Sequence, residues 1–178
     1  MALPDYSKTQ SGTPKTIKTS GGDAVVTLTS LANGNGTSAG ARQTQTLFLG
    51  PKWAQRWKVD VELEMAATPT AGNSVNFYAS YTNENGAGQG NTSGNDAPYT
   101  GYNNDIDVAI RQLEFLGAHI CSAIATPTIQ KSLVGLMFPK GPYVNLVIDN
   151  RSGAAFHSSA ENMVIRLTPL EESVEDSL

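Results

Sequence analysis

Residues 56–81, RWKVDVELEMAATPTAGNSVNFYASY, constrain the fold of this chain more than any other stretch. Trp57, Val59, Val61, Leu63 and Met65 alternate with Lys58, Asp60, Glu62 and Glu64, so a strand here has one apolar face and one charged, solvated face. After the breaker Thr68-Pro69-Thr70-Ala71-Gly72-Asn73, Val75, Phe77, Ala79 and Tyr81 alternate with Asn76, Tyr78 and Ser80. Half-buried strands of this kind belong to antiparallel sheets with one face on a core and the other in water. Neither strand carries a reactive cluster.

Similar strand patterns recur at 24–30 (AVVTLTS), 43–49 (QTQTLFL), 128–138 (TIQKSLVGLMF), 143–148 (YVNLVI) and 162–168 (NMVIRLT), with turn signals between them, among them 149–153. Between Ile106 and Ala125 the period changes. Ile106, Ile110 and Leu113 have helical spacing, with Asn103, Asn104 or Asp105 as the N-cap. From Leu113 onward, alternation puts Leu113, Phe115, Gly117, His119 and Cys121 on one side, and Glu114, Leu116, Ala118 and Ile120 on the other. A short helix leading into a strand is expected. Residues 82–104 form a long Gly-, Asn-, Ser- and Thr-rich loop, of the kind that is functional or mobile in a compact domain. The expected fold is all-β: an antiparallel β-sandwich, jelly-roll-like, of about eight strands with one short helix and one long loop. The expected domain is 23–170, preceded by a flexible arm at 1–22 and followed by an acidic tail at 171–178.

At 178 residues the chain accommodates one domain with a real core. Its net charge of −4 comes from Glu171, Glu172, Glu175 and Asp176 in the last eight residues, a solvated terminus or a docking peptide. The rest is formally neutral, which argues against a nucleic-acid groove. No run has the length of a membrane span. The first residues show no basic region followed by an apolar stretch, so folding in a cytoplasm is expected. Cys121 is the only cysteine, which excludes an intrachain disulfide and suits a small buried hydrophobe. The arm has Lys8, Lys15 and Lys18 against Asp5 and Asp23, a mildly basic segment that either frays or lies on an acidic neighbouring surface.

Few side chains suggest chemistry. His119 and Cys121 share a strand face, yet no third or fourth ligand has a recognisable spacing, so a packed histidine beside a buried thiol is the reading and no metal is expected. His157 with Ser158 and Ser159 lacks the context of a nucleophile elbow. Asp105 and Asp107 with Asn103 and Asn104, joined by Asp96 through the fold, are an incomplete calcium set. The glycines of NGAGQGNTSG are not followed by the lysine and hydroxyl residue of a phosphate loop. Tyr78, Tyr81, Tyr99 and Tyr102 either line a sugar-binding surface or anchor the long loop onto the sandwich. No cofactor and no enzymatic activity are expected.

The segments GPKWAQRWKVDVELEMAATPTAGNSVNFY, GNDAPYTGY, IRQLEFLGAHICSA and NRSGAAFHSSAENMVIRLTP, within residues 43–170, resemble small proteins encoded among the virion genes of tailed bacteriophages. The resemblance implies a capsid decoration or cement protein with a jelly-roll-like body. It also implies the major capsid protein as partner, a homo-oligomer with a trimer favoured, and a place on the capsid surface. The competing expectation is a receptor- or glycan-binding module of a tail or fibre. In the first case the arm, with Lys8, Lys15 and Lys18, makes the partner contact; in the second, the long loop with Tyr99 and Tyr102 does.

Overall fold

Alternation in the sequence becomes two facing sheets in the computed structural model, which describes residues 6–34, 36–125, 128–159 and 162–175. In chain order the strands are β1 (Tyr6–Ser11), β2 (Lys15–Lys18), β3 (Ala24–Val25), β4 (Ala41–Gln43), β5 (Leu47–Phe48), β6 (Arg56–Glu64), β7 (Ser74–Thr82) and β8 (Ala97–Pro98). A single turn of helix, α1 (Ile106–Ala109), precedes β9 (Glu114–Ile120), β10 (Ile129–Met137), β11 (Tyr143–Arg151) and β12 (Val164–Glu175). One sheet has the order β10-β6-β12-β2-β3, with β1 also on β12, and the other β8-β4-β11-β7-β9, with β5 also on β11. Apart from the short β2–β3 pair, which is parallel, the ladders are antiparallel. The protein is an antiparallel β-sandwich.

β6 and β7 belong to different sheets, so the breaker between them is an arch across the sandwich and not a hairpin. Their apolar faces meet in the middle. Trp57, Val59, Val61, Leu63 and Met65 from one side and Val75, Phe77, Ala79 and Tyr81 from the other are all buried, together with Val144, Leu146, Ile148, Ile165 and Leu167. Each fully buried aliphatic or aromatic side chain contributes about 1.5–3 kcal/mol. The outer face of β6 keeps Lys58, Asp60 and Glu62 partly in water, but Glu64 is only 5% exposed, which corrects the reading of that face as solvated throughout. Glu64 is covered because Asn162 and His157 close over it, Asn162 Nδ2 donating to its carboxylate at 3.1 Å.

The N-terminal segment also differs from expectation. β1 and β2 run along β12, with Ser11 opposite Leu170 and Ile17 opposite Ile165, and Ile17 has no exposed surface. A lone apolar residue is a weak signal by itself, but its place in the ladder puts it in the core. The strands at 6–11 and 15–18 are therefore part of the sheet where a flexible arm was expected, and residues 171–175 of the expected acidic tail pair with β1. Residues 1–5 and 176–178 lie outside the described part.

The expected turn at 149–153 is mostly strand. Asp149, Asn150 and Arg151 pair with Asn76, Val75 and Ser74 of β7. Asn150 is fully buried, which is tolerable because its Nδ2 lies 3.1, 3.1 and 2.9 Å from the carbonyl oxygens of Leu31, Ala32 and Ala154.

The long loop is ordered as a cover over the outer face of the second sheet. Tyr99, Ile106 and Ala109 pack with Ala41 and Val147 in a second small core, bordered by Tyr78, Ile110 and Leu113. Polar side chains beneath fix the loop's backbone: Asn145 Nδ2 donates to Gly86 O at 3.0 Å, Ser80 Oγ to Gln89 O at 3.1 Å, and Ser93 N to Gln43 Oε1 at 2.6 Å. Asp96 accepts from Thr27 N at 3.0 Å and from Arg42 Nε at 2.7 Å. Burial pushes its carboxyl up, but Arg42 and Thr27 outweigh that and hold it below the ordinary range. Asp105 caps α1 as expected, accepting from Val108 N at 3.2 Å. Arg151 bridges from α1 to the sheet, bonding Asp107 on the helix and Asp149 on β11.

Candidate interaction surface

Nine large hydrophobic side chains are exposed among the described residues, and six of them lie between 115 and 138: Phe115, Ile120, Ile124, Leu133, Leu136 and Phe138. Scattered exposed apolar residues are ordinary, whereas a concentration on and beside two strands makes them a candidate contact region. Phe115, Ile120 and Leu133 are each more than half exposed, at 57%, 60% and 59%.

The surface exists because two sheet edges meet. β9 ends one sheet and β10 begins the other. Their backbones approach so closely at Gly117 that a Cβ there would fall inside van der Waals distance of the Val134 carbonyl, and one at Gly135 would meet the Leu116 carbonyl in the same way. Gly117 also has φ +142°, a conformation that suits glycine. With His119 against Ser132, these pairs define one antiparallel alignment. The register to the neighbouring strands sends Phe115 to the outer face of one sheet, opposite Tyr78, and Leu133 and Leu136 to the outer face of the other, opposite Asp60 and Lys58.

A bulge in each strand decides which side chains face out. The β7–β9 register shifts between Phe77 and Tyr78, and the β10–β6 register shifts between Leu133 and Gly135. Leu116 and His119 therefore both turn inward although they are three residues apart, and strict alternation from Leu113 to Cys121 fails. Phe115 is left outside, its ring 5.3 Å from that of Tyr78.

On the inner side of the same seam, Gln130 brackets Ser122, accepting from its N–H at 2.9 Å and donating to its carbonyl at 3.0 Å. The Gln130 oxygen thus faces His119 Nε2 at 3.2 Å, which makes Nε2 the protonated nitrogen, and Nδ1 accepts from Ser132 Oγ at 3.0 Å. Burial lowers the His119 pKa and outweighs the opposing bond to Gln130. Cys121 is buried beside this group and its thiol is pushed up to about 11. The pair is structural: both ring nitrogens are engaged within the fold. Among the described residues no three His, Cys, Asp or Glu side chains are grouped to hold a metal.

Several charges beside the exposed hydrophobic side chains are paired within the chain, Asp60 and Lys58 standing directly opposite Leu133 and Leu136. Lys131 and Arg166 meet Glu62 at 3.0 and 3.2 Å, Lys58 meets Asp60 at 2.9 Å, and Lys140 meets Glu114 at 2.7 Å. The Lys131 bond does most to hold Glu62 below its ordinary pKa. Such surface pairs contribute about 0–1 kcal/mol each to stability.

The residues expected to bind partners lie elsewhere. Lys8 is on β1, opposite Ser173, and Lys15 and Lys18 are on β2, across the sheet from β10. Lys15 is taken up by Asp23 at 3.1 Å. Tyr99 has no exposed surface and donates its hydroxyl to the Gly90 carbonyl, so it anchors the loop and presents no ring to a ligand. Tyr102 is 38% exposed and bonds Gln112 at 2.9 Å. The incomplete calcium set is not assembled: Asp96 is tied to Arg42, Asp105 to its helix and Asp107 to Arg151. His157 Nδ1 accepts from the Ser159 backbone N–H at 3.0 Å. No helix of the described residues is long and apolar enough to cross a membrane.

A sequence signal for the apolar surface does exist. Both sides of strand 113–121 carry large apolar residues, and Leu133-Val134-Gly135-Leu136-Met137-Phe138 is apolar at every position, more than one buried face requires. Comparison with known proteins found no matching family model and no matching curated protein.

Proposed function

We propose that this chain is a non-enzymatic structural protein of a bacteriophage virion, a decoration or cement protein that stabilises a capsid through contacts with the major capsid protein, and that it acts as a homo-oligomer. The observation that carries the reading is the concentration of exposed hydrophobic side chains on and beside β9 and β10, with neighbouring charged groups already paired within the chain. A protein that works by burying surface against other subunits needs exposed hydrophobic side chains. The loop supports the same direction, because Tyr99 is buried as its anchor and presents no ring to a ligand. The resemblance of residues 43–170 to virion-encoded proteins supplies the capsid as the setting.

The test is addition of the full chain to capsids of the phage that encodes it, assembled without it. Co-sedimentation with the particles and a higher capsid melting temperature are the expected results. Failure to bind particles at any stage of their maturation refutes the reading.

A further inference from the structure

We infer that Asn85 is a site of spontaneous covalent modification, where the exposed amide cyclises onto the following glycine and is hydrolysed to a carboxylate, releasing the loop that Gly86 pins to the sheet.

Three asparagines precede glycine: Asn33, Asn35 and Asn85. The pairing matters because the backbone nitrogen that closes the ring is least shielded when its own residue has no side chain. Burial and hydrogen bonding separate the pairs. Gly34 is buried and its N–H donates to the Asn150 carbonyl at 3.0 Å, while Asn33 Oδ1 accepts from Gly153 N at 3.2 Å, so both reacting groups are held. Asn35 lies outside the described residues. Asn85 is exposed, no hydrogen bond to the described residues holds its amide, and the Gly86 N–H donates to no described acceptor. The approach is open as well: a Cβ placed on Gly86 would meet nothing within 4 Å.

The chemistry needs only water. The Gly86 nitrogen loses its proton to hydroxide and attacks Asn85 Cγ; the Cγ–Nδ2 bond breaks, and the leaving nitrogen takes up a proton and departs as ammonia. A cyclic imide remains. Water opens it at either carbonyl. Attack at Cγ gives an aspartyl side chain on an unchanged backbone, whereas attack at the α-carbonyl gives an isoaspartyl linkage, in which the main chain runs through Cβ and Cγ and is one methylene longer.

Position gives the reaction a consequence. The Gly86 carbonyl accepts from Asn145 Nδ2 at 3.0 Å and from Thr46 Oγ1 at 3.1 Å, and Asn145 is fully buried on the sheet beneath the loop. An added methylene is roughly 1.5 Å of extra backbone immediately before Gly86, enough to carry its carbonyl out of hydrogen-bond range of both donors. The isoaspartyl product therefore unpins the loop, and the aspartyl product does not.

The experiment ages the freshly purified full chain in water enriched in heavy oxygen, in mildly acidic and mildly alkaline buffer. Each Asn-Gly pair is followed by peptide mapping, with fragmentation that separates aspartyl from isoaspartyl products. Asn85 is expected to convert with uptake of heavy oxygen, faster in alkaline buffer because the attacking nitrogen must lose its proton. Asn33 is expected to lag by roughly tenfold or more, since Gly34 N must first give up a buried hydrogen bond, and in urea the lag is expected to vanish. Hydrogen exchange along 86–94 is expected to rise in the isoaspartyl fraction. It is expected to stay at the parent's level in Asn85→Asp, which carries the charge without the added methylene, and in aged Asn85→Gln, whose longer side chain closes the ring far less readily. An Asn85 amide that survives in the folded chain while the urea-unfolded chain converts overturns the inference, and so does an Asn33 that reacts as fast as Asn85 in the folded chain. Unchanged exchange in the isoaspartyl fraction overturns the release of the loop.

Discussion

Arg151→Ala isolates the largest electrostatic commitment in the fold. Arg151 Nε lies 2.5 Å from Asp149 Oδ2, and its other end reaches Asp107 on α1. The Asp149 side chain has no exposed surface and its Oδ1 has no hydrogen-bond partner, whereas the Asp107 side chain is 54% exposed. Removing the guanidinium therefore strands a buried carboxylate, a change that costs about 3–5 kcal/mol, while Asp107→Ala costs about 1 kcal/mol or less. Burial raises the Asp149 pKa above its ordinary value and Arg151 lowers it again in part, so its surroundings favour the neutral group. Asp149→Asn alone is then expected to be near neutral, and Asp149→Asn with Arg151→Ala to recover most of the loss. The sign with pH follows from linkage. A carboxyl whose folded pKa lies above its unfolded value of about 3.9 binds more protons in the folded state, so stability falls as pH rises through that window. Without Arg151 the folded pKa rises further, and the deficit of Arg151→Ala shrinks on acidification from pH 7 towards about 4.5. Urea unfolding at the two pH values, followed by circular dichroism, measures the parent and all four variants. If Arg151→Ala lies within about 1 kcal/mol of the parent, or Asp149→Asn costs as much as it does, the argument from buried charge is wrong.

Three further outcomes follow from the packing. Ile17→Ala is expected to destabilise by about 2–4 kcal/mol in urea, since Ile17 is fully buried opposite Ile165; a loss below 1 kcal/mol would return residues 15–18 to the status of an arm. The depressed pKa of His119 means the unfolded chain binds the extra proton first, so stability should drop as pH falls below about 6.5, and His119→Gln should flatten the pH 5–7 stability profile; an unchanged profile counts against a buried neutral imidazole. Gly117→Ala forces a methyl against the Val134 carbonyl at a φ that disfavours it, and should lower stability by about 2 kcal/mol or more, with hydrogen exchange rising first along β9 and β10.

Local chemistry was readable wherever it depended on near neighbours. The apolar residues of β6 and β7 all faced the core as their alternation implied, and Asp105 capped the helix that Ile106 and Ile110 announced. The tyrosines of the long loop were read in two ways, and burial of Tyr99 decided for the anchor. The outward direction of Phe115 and the inward direction of Leu116 were not read, because the alternation assumed for 113–121 ignores a bulge in the pairing with β7, which lies outside that segment.

By itself the sequence determined which face of each long strand is apolar, and with it the class of the fold, because side-chain direction in a strand repeats every two residues and needs no partner. Partnership is a different matter. Only the tertiary structure decided that β6 and β7 stand in opposite sheets, that the single apolar residue of β2 completes the core, and that Asn150 is held inside by three carbonyls. It alone decided that two glycines bring β9 and β10 together with their hydrophobic side chains outward. Those outcomes depend on ladder bonds and close backbone approaches between residues far apart in the chain, and no local pattern encodes which of the possible neighbours a strand will meet.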